Sequence, residues 1–178
     1  FLLQLLRNAT DVDLDTVPDS LQSVVQSRLD RLPSADKQAL QAASVVGQRF
    51  GGELLGFLLD DPGYRCEGLI ANQLVRPDGD EFLFVHALVR DGVYASLLRQ
   101  TRPDLHRKAA DWFAARDPGL RAEHLDRAGD DRAPQAYAAA ARASAARYHF
   151  EDALRFAARG IVRARSARDR FDLLMQHA

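Results

Sequence analysis

The sequence predicts a mainly α-helical fold in two parts: a first domain of short helices with one β-hairpin, and a second region of paired helices. Three observations predict it. Apolar residues recur at helical spacing along most of the chain. An alternating segment at 82–86 follows an Asp-Gly turn. Prolines then punctuate residues 103–178 at intervals of about 15 residues, the length of a short helix.

Size and charge limit the classes of protein that need consideration. With 178 residues, 47% hydrophobic and 28% charged, the chain can form one ordinary domain or two small ones. A net charge of −1 gives no electrostatic argument for nucleic acid or an anionic membrane. The single cysteine excludes an internal disulfide and favours a reducing compartment, so a cytoplasmic location is expected. No apolar run approaches the ~20 residues of a membrane helix, so no membrane partner is expected.

The start of the chain reads as the interior of a longer protein. Residues 1–7 are apolar and are predicted to end an amphipathic helix, and residues 8–15 form an acidic linker. No basic segment precedes the apolar run, so it lacks the layout of a secretory signal. Because the only methionine is Met175, the sequence is interpreted as a fragment.

Four short helices are predicted before the hairpin, each with an apolar stripe at helical spacing. The first begins at a capping box over 16–19 and ends at Pro33. Ser34 is predicted to cap the second, and Gly47 to end it. A turn at 51–52 follows. The remaining two helices cover residues 54–59 and 66–74.

The hairpin leads to a change of period at His86. Two strands are predicted around a turn at 77–80, and Phe82, Phe84 and His86 share one face of the second strand. After His86 apolar residues recur every four positions, which predicts a helix to about Arg99. His86 therefore stands at a strand-to-helix junction, where its imidazole could contact an anionic ligand. The alternative is a structural histidine whose ring is hydrogen-bonded to a backbone carbonyl.

Short helices, a hairpin and a closing helix follow the order of a winged-helix domain, which is predicted over residues 16–101. The segment 84–91 also resembles the Met-His-Asp segment of the STAND signalling ATPases. These relatives of the NB-ARC proteins include bacterial LuxR-type regulators and ATPase-containing adenylyl or guanylyl cyclases. The matching residues are His86, Leu88, Val89, Arg90 and Asp91, whereas Val85 and Ala87 stand where the named motif has Met and Asp.

The resemblance implies a role for His86 and for the segments around it. In that family the His contacts the phosphates of bound ADP, so His86 is the expected nucleotide contact. It would act only with an upstream nucleotide-binding domain that this chain lacks. ATP or ADP is then the cofactor of the parent, and no cofactor is expected in this chain alone. Residues 1–15 resemble the end of the family's ATPase lid and its linker.

Residues 102–178 are predicted to form tetratricopeptide (TPR)-like helical repeats. If Ala153 takes the small position of a second helix, Tyr137 and Ala141 lie 16 and 12 residues earlier. There they match the aromatic and small positions of one degenerate repeat of about 34 residues. Residues 169–178 are predicted to begin a further helix that would leave a stacking face open. An unidentified protein is the expected partner of these helices.

Other constellations of catalytic or ligating residues are not found, so no catalytic residue is proposed and the chain is not expected to be an enzyme. No phosphate loop occurs, and no histidine has metal-ligand spacing to Cys66 or to another histidine. Cys66 is read as a small helix residue, with a low-pKa thiol as the alternative. Arg90 and Asp91 are read as a solvated pair or an interdomain salt bridge.

A further arginine run allows two interpretations. Arg155, Arg159 and Arg163, continued by Arg165 and Arg168, either attract an anionic partner or form a solvated face offset by acids at 151 and 152. The solvated face is the preferred interpretation.

Two functions remain open. The first is a regulatory fragment of a bacterial STAND ATPase, in which the winged helix senses ADP or ATP and the parent is a signalling nucleotide cyclase or a LuxR-type transcriptional regulator. The second is a winged-helix DNA-binding transcriptional regulator with a helical dimerisation region. The helix predicted at 66–74 has no Lys or Arg, and the hairpin tip carries Asp78, Asp80 and Glu81. These charges disfavour contact with phosphates through this chain.

Overall fold

The computed structural model describes residues 27–164, which are mainly helical and include one small sheet. The chain forms two compact units, Phe1–Leu98 and Arg99–Ala178. The predicted domain boundary after residue 101 lies three residues later. The predictions for the lid helix, the linker, the capping box at 16–19 and residues 165–178 fall outside the described residues.

In the described part of the first unit, seven elements follow a helical segment at 27–29. They are α1 (Ser34–Val46), β1 (Arg49–Gly51), α2 (Gly52–Leu59), α3 (Glu67–Ala71), β2 (Val75–Asp78), β3 (Glu81–Phe84) and α4 (Ala87–Ser96). The predicted order of helices, hairpin and closing helix is therefore confirmed. The core of the first unit joins the helices to the sheet. Its fully buried residues include Leu29, Leu40, Leu55, Leu69, Val75 and Phe84.

The sheet has three antiparallel strands in the order β1-β3-β2. The hairpin was predicted, but β1 was not, because three residues are too few to display an alternating pattern. Phe50 pairs with Phe82 across β1 and β3, and their stacked ring centroids lie 5.8 Å apart. The segment predicted as a turn at 51–52 is instead the end of β1 and the start of α2.

The hairpin turn is tighter than predicted. Asp78 pairs with Glu81, so Gly79 and Asp80 alone form the loop. Gly79 takes a φ of 65°, a conformation that costs glycine little. The proline at 77 is tolerated because β2 is an edge strand.

Three predicted helix ends are corrected. Ser34 makes no capping hydrogen bond, and Pro33 takes the cap position. The helix predicted at 66–74 is shorter and corresponds to α3. It ends early because Gln73 adopts a φ of 54°, which turns the chain. After this turn the Leu74 amide donates to the Leu69 carbonyl at 3.0 Å. Helix α4 ends at Ser96 rather than Arg99, since Leu97 is extended.

The second unit contains α5 (Thr101–Trp112), a 3-10 turn (Phe113–Ala115), α6 (Pro118–Arg127), α7 (Ala133–Ala145) and α8 (Phe150–Arg163). Pro118 and Pro134 lie in the first turn of α6 and α7, as the spacing predicted. The core is built largely from small residues that let helix axes approach closely. It consists of Ala110, Ala122, Leu125, Ala133, Ala136, Tyr137, Ala140, Ala141, Phe156 and Ala157.

Candidate functional site

His86 lies where the extended chain becomes helical, as predicted. It follows β3 after one residue, has φ −137° and ψ 137°, and occupies the cap position of α4. The residue is exposed, and its ring makes no capping hydrogen bond to the helix. A backbone carbonyl that would satisfy the imidazole is not found within residues 27–164. The ring is therefore accessible to a ligand outside this chain.

The first turn of α4 begins directly after this ring. The amides of Val89 and Arg90 donate to the His86 carbonyl at 3.0 and 3.4 Å, so the backbone donors near the ring are those of the residues before them. Ala87 and Leu88 are exposed, and the first amides of a helix have no acceptor within the helix. No acid lies in this first turn, so the positive end of the helix dipole is not neutralised there. An imidazole beside a free helix start is suited to an anion such as a phosphate.

Arg90 connects this helix start to α1. Its Nε donates to the Ser44 carbonyl at 3.2 Å, and its Nη1 lies 2.7 Å from Asp91 Oδ1. The guanidinium also lies 5.7 Å from the ring centre of Tyr94. The two side chains are largely buried within one unit, so the interpretation as a solvated pair is wrong. A salt bridge to another domain stays a prediction. The function of Arg90 in the fold is to fix the turn that carries His86.

Gln48 braces the strand that leads to His86. Its side-chain Nε2 donates to the Phe84 carbonyl at 2.7 Å, and its backbone carbonyl accepts from the Phe84 amide at 3.0 Å. Sequence reasoning missed this residue, because only the pairing of β1 with β3 brings it here. The junction is thus held from α1 and from Gln48, the residue before β1.

Cys66 carries no reactive thiol. It is buried just before α3, near the hydrogen bond of 2.8 Å from the Tyr64 hydroxyl to Asp36. Burial, together with the charge of Asp36, raises the pKa of the Cys66 thiol to about 11. The alternative of a low-pKa thiol is wrong. Cys66 was predicted to be a small helix residue; it is buried, but it occupies the cap position before α3 rather than a position in a helix.

The arginine edge of α8 is paired inside its own unit. Arg159 Nη1 lies 3.3 Å from Glu123 Oε1, and Arg163 Nε lies 2.7 Å from Asp126 Oδ1, both on α6. Arg155 pairs with Asp152 at 2.9 Å, as predicted. Arg165 and Arg168 lie outside the described residues. Arg159 and Arg163 therefore join α8 to α6, and this pairing does not support the interpretation that they attract an anionic partner.

The positions predicted from the repeat pattern are all buried. Tyr137 and Ala141 lie on α7 and Ala153 on α8, and the two helices are joined by a short loop. The Tyr137 hydroxyl donates to Asp126 Oδ2 at 3.0 Å. On α5 the buried positions are His106, Ala109 and Ala110.

A buried histidine pair was not predicted. His106 and His124 approach through their Nδ1 atoms, and Phe113 stacks on His124 with ring centroids 5.6 Å apart. Burial and the charge of Arg127 lower the pKa of His124 to about 4. Within the part of the chain that the structure describes, no group of three His, Cys, Asp or Glu side chains could hold a metal ion. No helix there is long and apolar enough to cross a membrane.

Comparison with known proteins identifies a distant similarity. The chain is 29% identical over 157 residues to "Uncharacterized protein R02095" of Rhizobium meliloti (strain 1021). The match covers 77% of this chain and 15% of the relative, so the similarity is to one segment of a much longer protein. No family model matches the chain. No solved structure matches it either.

Proposed function

We propose that this chain is the non-catalytic regulatory part of a bacterial multidomain STAND ATPase. The first unit serves as a winged-helix domain that contacts an upstream nucleotide-binding domain and senses ADP or ATP there. The second unit serves as a TPR-like region that binds a protein partner. Nucleotide exchange shifts the parent between two states and releases an output domain, either a nucleotide cyclase or a LuxR-type DNA-binding domain.

The observation that carries the proposal is the exposure of His86 between β3 and α4. A ring sealed in an apolar pocket could not reach a nucleotide on another domain. Here the ring is exposed, and the first turn of α4 carries no acid that would repel phosphate. Arg90 and Gln48 hold the junction on both sides, which limits the entropy lost when a ligand is bound.

The paired helices of the second unit support the partner-binding role. Tyr137 and Ala141 on α7 and Ala153 on α8 are buried, and burial is what the aromatic and small positions of such a repeat need. Stacked helix pairs of this kind offer extended surfaces for proteins. The similarity to a segment of a longer protein also fits a module within a multidomain parent.

The test is calorimetry with ADP on a protein extended upstream to include the nucleotide-binding domain. His86→Ala should weaken ADP binding about tenfold, the loss of roughly one charge-assisted hydrogen bond. His149→Ala is the matched control, because His149 is exposed at the start of α8 in the other unit and should leave the affinity unchanged. Equal affinities for the wild-type protein and His86→Ala would reject the sensor role.

The competing function is a DNA-binding winged helix with helical dimerisation. Helix α3, which precedes the hairpin, has five residues and no Lys or Arg. At the hairpin, Arg49 pairs with Asp78 at 2.5 Å and with Glu81 at 3.8 Å, so this cation is engaged by acids. Both features disfavour phosphate contacts. A gel shift with random duplex DNA at low salt should give no complex, and a retarded band would favour this second function.

A further inference from the structure

A cleft of about 300 Å³ opens on the second unit, where the start of α6, the end of α7 and the start of α8 meet. Its floor is apolar and includes Gly119, Ala140 and Phe156, all of them buried. At Gly119 a Cβ atom would lie 2.7 Å from Cζ of Phe156, so glycine is what lets this ring lie against α6. Because the residues that line the floor from α6 and α7 are small, the cleft has room for one bulky apolar side chain from outside.

The acids that line this cleft already have partners. The carboxylate of Asp117 caps the start of α6. Glu123 pairs with Arg159 at 3.3 Å, and Asp152 pairs with Arg155 at 2.9 Å. These three acids are therefore not the partners of the other cations in the lining.

Two arginines of the lining have no carboxylate partner among residues 27–164. Arg147, just after α7, makes no side-chain hydrogen bond or ion pair there. Arg116 donates to the Trp112 carbonyl at 2.8 Å, and its guanidinium lies 3.8 Å from the ring centre of Trp112. These contacts hold the Arg116 side chain in place without neutralising it, so less conformational entropy is lost when it binds an anion. Both guanidiniums suit a carboxylate, which they can bind through paired hydrogen bonds.

The shape of the cleft selects the kind of ligand. A pocket for a small molecule surrounds most of its ligand, whereas this cleft is open to solvent along its rim. An open cleft suits a segment of chain that enters and leaves at the rim. The apolar floor calls for a bulky apolar side chain in that segment, and the two unpaired arginines call for acids beside it.

We propose that this cleft binds a segment of another protein in which a phenylalanine, leucine or methionine is flanked by aspartate or glutamate. The apolar side chain fills the space above Gly119, Ala140 and Phe156, and the acids pair with Arg116 and Arg147. This assignment deepens the proposed function, since it presupposes that the second unit binds a protein. Its test is independent of the ADP measurement at His86, so either can fail without the other.

The test is fluorescence anisotropy with the whole chain and the labelled peptide Gly-Asp-Glu-Phe-Asp-Glu-Gly. We expect saturable binding, with a Kd on the order of 10 μM. Arg147→Glu should weaken it at least about tenfold, because an attractive charge becomes repulsive. Arg142→Glu makes the same charge change at an exposed position of α7 outside the lining, and should keep the affinity within about twofold.

Two further probes separate the apolar contact from the charge. A peptide with glycine in place of phenylalanine, and one with lysines in place of the acids, should each bind at least about tenfold more weakly. Ala143→Trp places a large side chain in the lining and should weaken binding by a similar factor, with circular dichroism confirming that the helices persist.

Four outcomes would overturn the proposal. The first is no saturable binding of the acidic peptide. The second is an equal loss in Arg142→Glu and Arg147→Glu, which would reduce the binding to general charge attraction. Displacement by inorganic phosphate, without any dependence on the phenylalanine, would assign the cleft to a small anion. A dimer mass in sedimentation that Arg147→Glu abolishes would assign it to a second copy of the chain.

Discussion

The Nδ1 atoms of His106 and His124 lie 2.9 Å apart, and both rings are buried between α5 and α6. At this distance one ring donates the hydrogen bond and the other accepts it, so at least one must be neutral. Protonation of both rings would place two charges side by side without solvent. The pair therefore links the packing of the second unit to pH.

We predict that acid destabilises the second unit between pH 6.5 and 4. The pKa of His124 falls from 6.5 to about 4 on folding, mainly because of burial, with Arg127 adding repulsion. The neutral ring therefore contributes stability above pH 6.5, and this contribution is lost as the pH falls through 4. The complete loss is about 3 kcal/mol. Urea unfolding followed through Trp112, the single tryptophan, reports on this unit.

Two variants separate this effect from general acid denaturation. His124→Gln should be less stable at neutral pH but should lose most of the dependence on pH in this range. His149→Gln changes an exposed histidine and should keep the full dependence. A wild-type protein equally stable at pH 7 and pH 4.5 would contradict the assignment.

The carboxylate of Asp126 joins three helices, because it accepts from Tyr137 on α7 and pairs with Arg163 on α8. Tyr137→Phe should lower the free energy of unfolding by about 1 kcal/mol, the value of one part-buried hydrogen bond. Arg163→Ala should cost less, about 0.5 kcal/mol, since its side chain is largely exposed. The control is Arg155→Ala, whose partner Asp152 lies on its own helix. A larger loss in that control than in Tyr137→Phe would reject the bridging role.

Arg90→Met should loosen the contact of α4 with α1, because it removes the hydrogen bond to the Ser44 carbonyl and leaves Asp91 without this partner. The expected cost is about 1.5 kcal/mol. Hydrogen exchange should become faster in α4 and at the end of α1. Arg76→Met, on the exposed side of β2, is the control and should change neither. Unaltered exchange in α4 would show that Arg90 does not hold the junction.

Cys66 should react slowly with thiol reagents in the native protein. Its pKa rises from 9.0 to about 11, so the thiolate fraction at pH 8 falls about a hundredfold, and burial slows the reaction further. Ellman's reagent at pH 8 should label one thiol in urea at the rate of free cysteine, and far more slowly without urea. Rapid labelling of the folded chain would restore the reactive-thiol interpretation.

Features that depend on neighbours in sequence were predicted, and features that depend on distant pairing were not. The helices at 34–46 and 54–59 and the two hairpin strands follow from local periodicity and turn residues. Strand β1 exists only because β3 offers a free edge to it. The partner of His106 lies 18 residues away and that of Arg90 46 residues away, so neither pattern nor spacing reveals them. The position of His86 was predicted because strand and helix adjoin at that residue.

The unpredicted strand has a consequence for movement at the junction. Since β3 is paired on both sides, its amides are held by β1 and β2, and the chain before His86 resists displacement. The first turn of α4 is held differently, through the Arg90 side chain, whose Nε donates to the Ser44 carbonyl. Any displacement of this imidazole toward or away from a neighbour must therefore occur on the α4 side and disturb that hydrogen bond, while the sheet stays fixed.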